Sequence, residues 1–224
     1  MEKKKILFFM VIIFFILQSG VSNAEWYEEE LKENIKKLQS SEPRERIDAV
    51  ERINQIFYRY RNLPDDDILI DSLIAALNDR EVWVRASAAK ALGKTKNPRV
   101  AEPLSVLLLD EDSKVRDDAT EALSNNGNFS TNPIIVERII ELGIKEAESK
   151  EEMPSVASVY LPDMLRKINT PRAKEALKAL QERAIERLED SLPGLEKFGV
   201  VDEEEGKQLI NELKKEIRDG KHTK

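Results

Sequence analysis

The chain has 224 residues, of which 35% are charged and 6% aromatic, and 36 basic against 43 acidic residues give a net charge of −7. That balance repels nucleic acid and anionic membrane from the molecule as a whole, although a local basic patch could still act. Cysteine is absent and the single histidine is His222, which excludes disulfides, thiol chemistry and histidine-built metal sites.

Residues 1–24 read as an address rather than as part of the fold. Lys3, Lys4 and Lys5 precede an apolar run from Ile6 to Leu17, and Ser22-Asn23-Ala24 fits a small-x-small cleavage pattern. Together these make a secretory signal peptide, cut between Ala24 and Glu25. The apolar run is short against the roughly 20 residues that span a bilayer. The membrane is therefore expected to matter only during export, and the mature protein to be periplasmic or secreted. Cleavage removes three Lys and one Glu, leaving a net charge of −9. An exported chain without cysteine fits a bacterial envelope better than a eukaryotic secretory route, where disulfide scaffolds are common.

Trp26 to Leu38 is the first expected helix of the mature chain. Tyr27, Leu31, Ile35 and Leu38 share one face, and Glu28–Lys32 and Glu33–Lys37 are supportive pairs four residues apart. Arg46 to Ile53 then reads as the second helix of a diverged first repeat. Pro64 and Asp65-Asp66-Asp67 end one helix and cap the next.

The clearest pattern follows. Leu73, Leu77 and Asp79 recur at Leu104, Leu108 and Asp110, and Val84, Arg85, Ala88, Ala91 and Leu92 recur at Val115, Arg116, Ala119, Ala122 and Leu123. The period is 31 residues throughout (Leu73 to Leu104). A fixed period of this size marks a repeat array. Each unit reads as two helices with an Asp at the turn, and the small alanines let neighbouring helices approach closely. One such pair cannot bury its apolar stripe alone, whereas stacked pairs can. Ser40 occupies the place of Asp79 in the first repeat.

Repeat two is expected over about 68–95 and repeat three over about 98–126. Pro98 opens a helix and Gly127 suits a left-handed cap. A weaker fourth unit starts at Pro133, with Met153 to Ile168 as its second helix, kinked or started late by Pro162. A fifth starts at Pro171 and runs to about Leu188. Leu192 to Val200, with Pro193, Gly194 and Gly199, is expected to be a loop. A last helix begins at Asp202 and Glu205 and carries an apolar stripe of Leu209, Leu213 and Ile217. Lys221 to Lys224 is a frayed tail.

The repeated Asp, Val, Arg, Ala, Ala and Leu positions from Asp79 to Leu92 and from Asp110 to Leu123 resemble the short HEAT-like repeats, the variety found in phycobilisome lyases. The Thr-Pro-Leu-His element of ankyrin repeats is absent, and the aromatic and glycine positions of tetratricopeptide repeats cannot be placed. The resemblance implies an all-α, right-handed α-solenoid. It divides the chain into a signal peptide (1–24), a solenoid (25–190) and a helical cap and tail (191–224). It also implies that Asp79, Arg85, Asp110 and Arg116 form a structural ladder tying turns to neighbouring helices. Some HEAT-like proteins are enzymes, bilin lyases and an iron hydroxylase with paired His-Glu motifs among them. This chain has no His-Glu pair and is expected to be exported, so the resemblance transfers no catalysis. No phosphate loop or serine nucleophile motif is present, and neither cofactor nor metal is expected.

In such an architecture the second helices line the concave binding face. Trp83, Ser87, Lys90 and Lys94 form one stripe there, equivalent to Lys114, Asp118, Glu121 and Asn125 in the next repeat. Trp83 either contacts a partner or packs on the edge of the preceding repeat. Phe57, Tyr58, Arg59, Tyr60 and Arg61 form a second patch, for which packing against the first helix is the better reading. The expectation is a non-catalytic scaffold or adaptor that binds another protein through Trp83, Lys90 and Lys94. A module binding a glycan or peptidoglycan fragment through Trp83 and Tyr58 is the alternative.

Overall fold

The computed structural model describes residues 23–59, 66–149, 155, 157–198 and 202–219. The apolar core of the expected signal peptide, Pro64, Asp65, Tyr60, Arg61, Gly199 and the tail from Lys221 lie outside the described residues. All regular structure among the described residues is helical, and the chain divides into two compact units at Ser72/Leu73.

The first unit holds α1 (Asn23–Lys37) and α2 (Pro43–Arg59), which pack on each other. Leu31, Ile35 and Leu38 of the α1 side are buried, as are Ala49, Val50, Ile53 and Ile56 of α2. Ala24 and Glu25, the expected cleavage pair, lie in the first turn of α1. The turn between the helices is tied by side chains. Ser40 Oγ accepts from the Glu42 N–H at 3.1 Å, and Arg46 Nη1 donates to the carbonyls of Ser40 and Ser41 at 3.0 and 3.2 Å. The expected Glu28–Lys32 pair is replaced by Glu29–Lys32 at 3.2 Å, whereas Glu33–Lys37 forms at 2.7 Å. On a helix both i+3 and i+4 neighbours are within reach of a lysine.

The division between units falls within α3 (Asp67–Ala76). In the second unit follow α4 (Val82–Leu92), a 3-10 turn (Pro98–Val100), α5 (Ala101–Val106), a second 3-10 turn (Leu107–Leu109) and α6 (Ser113–Asn126). Then come α7 (Pro133–Glu148), α8 (Ala157–Ile168), α9 (Pro171–Lys197) and α10 (Glu203–Arg218). The periodic apolar positions are the core: Leu73, Val84, Ala88, Ala91, Leu92, Leu104, Val115, Ala119 and Leu123 are all fully buried. Second helices stack in order, α4 on α6 and α6 on α8. The small residues permit this. A methyl group at Gly93 would lie 2.5 Å from Ala122 Cα, so the backbones of α4 and α6 meet with no room for a side chain. Buried Asn126 adds a polar tie, donating to the carbonyls of Thr95 and Asn97 at 3.3 and 3.0 Å.

The caps fall where turn chemistry places them. Asn97, Asp112, Asn132 and Asp202 each accept a backbone N–H at the start of a helix, and Gly127 closes α6 with φ +81°. Asp66 Oδ1 accepts from the Ile68 N–H at 2.8 Å as α3 begins.

Three local expectations are corrected. α8 is described from Ala157, Met153 lying outside the described residues, and it keeps Pro162 in its interior. Fully buried Leu161, Met164 and Leu165 hold the helix through the missing N–H. The loop over 192–200 does not form as far as Lys197: α9 continues through Pro193 and Gly194, so residue 190 is mid-helix. Burial of Leu192 beside Ile185 and Ile210 outweighs the local breaker signals. On α10 the inward stripe is Gly206, Ile210, Leu213 and Ile217, while Leu209 is 57% exposed. Leu213 and Ile217 thus face inward as expected, and Ile210 takes the place expected of Leu209.

Candidate interaction face

The ladder residues are structural in their geometry. Arg85 reaches forward to the next repeat and grips Asp110 with two parallel bonds, Nε to Oδ2 and Nη2 to Oδ1, both 2.9 Å. Its Nη1 also donates to the carbonyls of Asp79 and Arg80 at 3.0 and 3.2 Å, closing its own turn. The carboxylates of Asp79 and Asp110 accept from the N–H groups of Glu81 and Asp112, each at 2.9 Å. Ser40 does the same with its hydroxyl in the first repeat. Arg116 repeats the turn closure on the carbonyls of Asp110 and Glu111, both at 3.1 Å, but meets Glu146 across the next junction at 4.0 Å. Burial pushes the Asp110 carboxyl up, yet the Arg85 guanidinium, the Asp112 N–H and Arg116 outweigh it and hold its pKa below the ordinary value. The bonds it donates to Asp110 hold the Arg85 guanidinium above its own ordinary value. Such charge-assisted forks use their donors and acceptors internally.

The second helices present the remaining chemistry. Trp83, at the start of α4, is 54% exposed, and Lys114 Nζ of the following repeat sits 5.5 Å from its ring centroid. Lys114 is also held by Asp118 at 3.0 Å. The exposed cation–π contact is worth about 0.5–1 kcal/mol and fixes the indole on the surface without burying it. Lys90 follows on the same face of α4, Lys94 lies in the turn after it, and both are exposed. The Lys94 ammonium is held below its ordinary pKa, first by desolvation and then by Lys90, with Glu121 opposing. Glu121 in turn accepts from the Tyr160 hydroxyl of α8, whose pKa is raised by desolvation and then by that carboxylate. Asp117 of α6 accepts from the Ala157 N–H at 2.8 Å and so caps α8. Val159, 70% exposed, lies beside Tyr160 in the chain.

Trp83 and Lys90 therefore share one face of α4, whereas Lys94, expected on the same stripe, lies in the turn beyond the end of the helix at Leu92. Tyr58 is 86% exposed, but it belongs to α2 of the first unit, whereas Trp83 belongs to the second. Phe57 is half-buried and Ile56 buried, so the Phe57–Arg59 stretch is part core and part surface. Sequence reading missed Tyr160 and Asp117, because the fourth unit lacks the Asp…Val-Arg signature that would have set its register.

Elsewhere, an open groove runs between α9 and α10, with Lys178, Glu182, Glu189 and Lys214 on its walls and Ile185 and Ile217 among its lining. Its charges neutralise each other, Lys214–Glu189 at 2.7 Å and Lys178–Glu182 at 3.7 Å. Among the described residues no group of His, Asp and Glu could hold a metal ion, and no helix is long and apolar enough to cross a membrane.

The family model for HEAT repeats matches residues 31–124. The match runs from within α1 to within α6 and so covers repeats one to three. The HEAT-repeat fold is generally a protein-interaction scaffold. Among solved structures, the chain is similar to the complex of CpcE and CpcF of phycocyanin lyase from Nostoc sp. PCC7120. Identity there is 22%, covering 74% of this chain and 70% of that one, with a TM-score of 0.49. Two engineered proteins are also similar: one at 17% identity over 85% of this chain and 97% of that one (TM-score 0.41), the other at 14% over 84% and 98% (TM-score 0.45). No curated protein matches.

Proposed function

We propose that the chain is a non-catalytic scaffold or adaptor that acts in the bacterial cell envelope and binds another protein across its second helices. The observation that carries this reading is the α4 face, where an exposed Trp83 stands with Lys90, with Lys94 in the turn that follows, on a stretch matched by the HEAT-repeat model. Exposed tryptophans are over-represented among residues that dominate binding energy. The lysine-led apolar segment and the small-residue site before Glu25 support export. The other conspicuous side chains, the Arg85 and Arg116 ladder, are engaged in holding turns together.

Affinity capture from the envelope of the source cell tests the reading, with the mature chain beside a Trp83→Ala, Lys90→Glu variant checked for folding by circular dichroism. The expected result is a protein retained by the parent and lost by the variant. Equal capture by both would move the site off α4. Calorimetry with peptidoglycan fragments should give no heat, and saturable heat abolished by Trp83→Ala would favour the glycan-binding alternative.

A further inference from the structure

We infer that the C-terminal half of α9, with α10 beside it, is a second docking surface, and that its occupant is a basic amphipathic helix of a partner protein. The surface is separate from the α4 face and does not depend on it.

The surface continues a contact that the chain already makes. Ala173, Ala176, Leu177 and Leu180 are buried where α9 packs on α7 and α8. The end of α7 is level with Arg183, whose Nε donates to the Ser149 carbonyl at 3.1 Å. Beyond that point α9 runs on to Lys197. Helical spacing carries the same face through Ala184, Leu188, Ser191 and Leu195 to Phe198, all of them uncharged. Leu188 is 43% exposed, Leu195 37% and Phe198 80%. The last helix does not cover this stripe, because α10 packs on another face of α9, at Ile185 and Leu192. An uncovered apolar stripe of this spacing is what one helix offers to another.

α10 sets the charge of the occupant. Gly206 lies against Leu192, so Leu209, itself exposed, comes level with Leu188 on the same side of the antiparallel pair. Glu205, Glu212 and Glu216 share that side of α10, whereas Lys214 and Arg218 stand on the opposite side, in the groove with Glu182, Glu186 and Glu189. None of the carboxylates of Glu205, Glu212 and Glu216 has an ion pair among the described residues. Arg187 borders the stripe, but its Nε is buried and the side chain is engaged within the chain. Leucines edged by unpaired carboxylates complement a helix with an apolar face edged by lysines or arginines. The same carboxylates repel an anionic lipid surface.

The test uses two fluorescein-labelled helical peptides with the same leucine stripe, one flanked by lysines and the other by glutamates. Binding to the mature chain is read by anisotropy. The lysine peptide should bind about tenfold tighter than the glutamate peptide, and added salt should narrow the gap. Leu188→Ser, Leu195→Ser should abolish binding of the lysine peptide while circular dichroism stays unchanged, since both side chains are exposed. Glu205→Lys, Glu212→Lys should reverse the order of the two peptides. Trp83→Ala, Lys90→Glu should leave both affinities as they are, which separates this surface from the α4 face. Equal binding of the peptides, an order that survives the charge reversal, or binding indifferent to the leucine variant would overturn the inference. So would co-sedimentation with phosphatidylglycerol vesicles, or a dimer in analytical ultracentrifugation, that the leucine variant loses; the face would then belong to a lipid surface or to a second copy of the chain.

Discussion

The junction between repeats two and three and the junction between α9 and α10 are both helix-on-helix contacts, yet they are held in different ways. At the first, every layer of the contact is specific. Arg85 grips Asp110 bidentately, Asn126 ties two carbonyls of the preceding turn, and Gly93 lies against the Ala122 backbone. At the second, the contact is a small apolar cluster of Ile185, Leu192 and Ile210 flanked by Leu213 and Ile217, and Gly206 faces the tip of Leu192 rather than backbone. The lesson is that repetition in this chain encodes register. Where the Asp…Val-Arg paragraph is intact, polar forks and close backbones fix the stacking. Where it lapses, burial of a few large side chains suffices.

The largest effect should come from breaking the fork. Asp110→Ala strands a guanidinium whose side chain is only 10% exposed, and should lower unfolding free energy by about 3 kcal/mol, as removal of one partner of a buried pair does. Chemical denaturation followed by circular dichroism measures it. The loss has a pH signature. Because the folded-state Asp110 carboxyl is held below its ordinary value, the rung contributes fully above about pH 4 and is lost as pH falls through the folded-state pKa. The stability gap between parent and Asp110→Ala should be level from neutral down to that point and close below it. A gap that persisted undiminished in strong acid would show that packing, not charge, holds the junction.

Next comes the close approach itself. Gly93→Ala puts a methyl group 2.5 Å from Ala122 Cα, which only backbone movement can relieve, and should cost about 2 kcal/mol by overpacking. Glu146→Gln should cost about 1 kcal/mol, well below Asp110→Ala, because Arg116 meets Glu146 at 4.0 Å rather than in a fork. Arg116 Nε has no hydrogen-bond partner among the described residues. The smallest effect should be at the other end. Gly206→Ala meets the Leu192 Cδ1 tip, part of a side chain that can rotate away, and the helix preference of alanine offsets the crowding to within about 0.5 kcal/mol. A loss at Gly206 equal to that at Gly93 would erase the distinction between the two junctions.

The same distinction explains what the sequence made legible. The period of 31 residues set the register of repeats two and three, so the buried faces there coincide with the periodic positions from Leu73 to Leu123. The pattern named Asp79, Arg85, Asp110 and Arg116 but did not say that the fork runs forward, from Arg85 to the Asp of the following repeat. Direction depends on how two units stack, which a period alone does not carry. Beyond Gly127 the register had to come from single helices, and local signals were overruled there. Pro193 and Gly194 read as a loop but sit inside α9, and Leu209 read as core but is exposed while Ile210 is buried. On the candidate face, helical spacing put Trp83, Lys90 and Lys94 on one stripe, but α4 ends at Leu92 and leaves Lys94 in the turn beyond. The contact of Trp83 with Lys114 and the bond from Tyr160 to Glu121 join different repeats and were invisible in one.

Hydrogen–deuterium exchange of the mature chain with and without its captured envelope partner tests the central claim most directly. The account predicts slowed exchange concentrated in Val82–Leu92 and Ser113–Asn126, with Pro171–Lys197 unchanged. Protection confined to α9 and α10, with α4 and α6 unaffected, would contradict it.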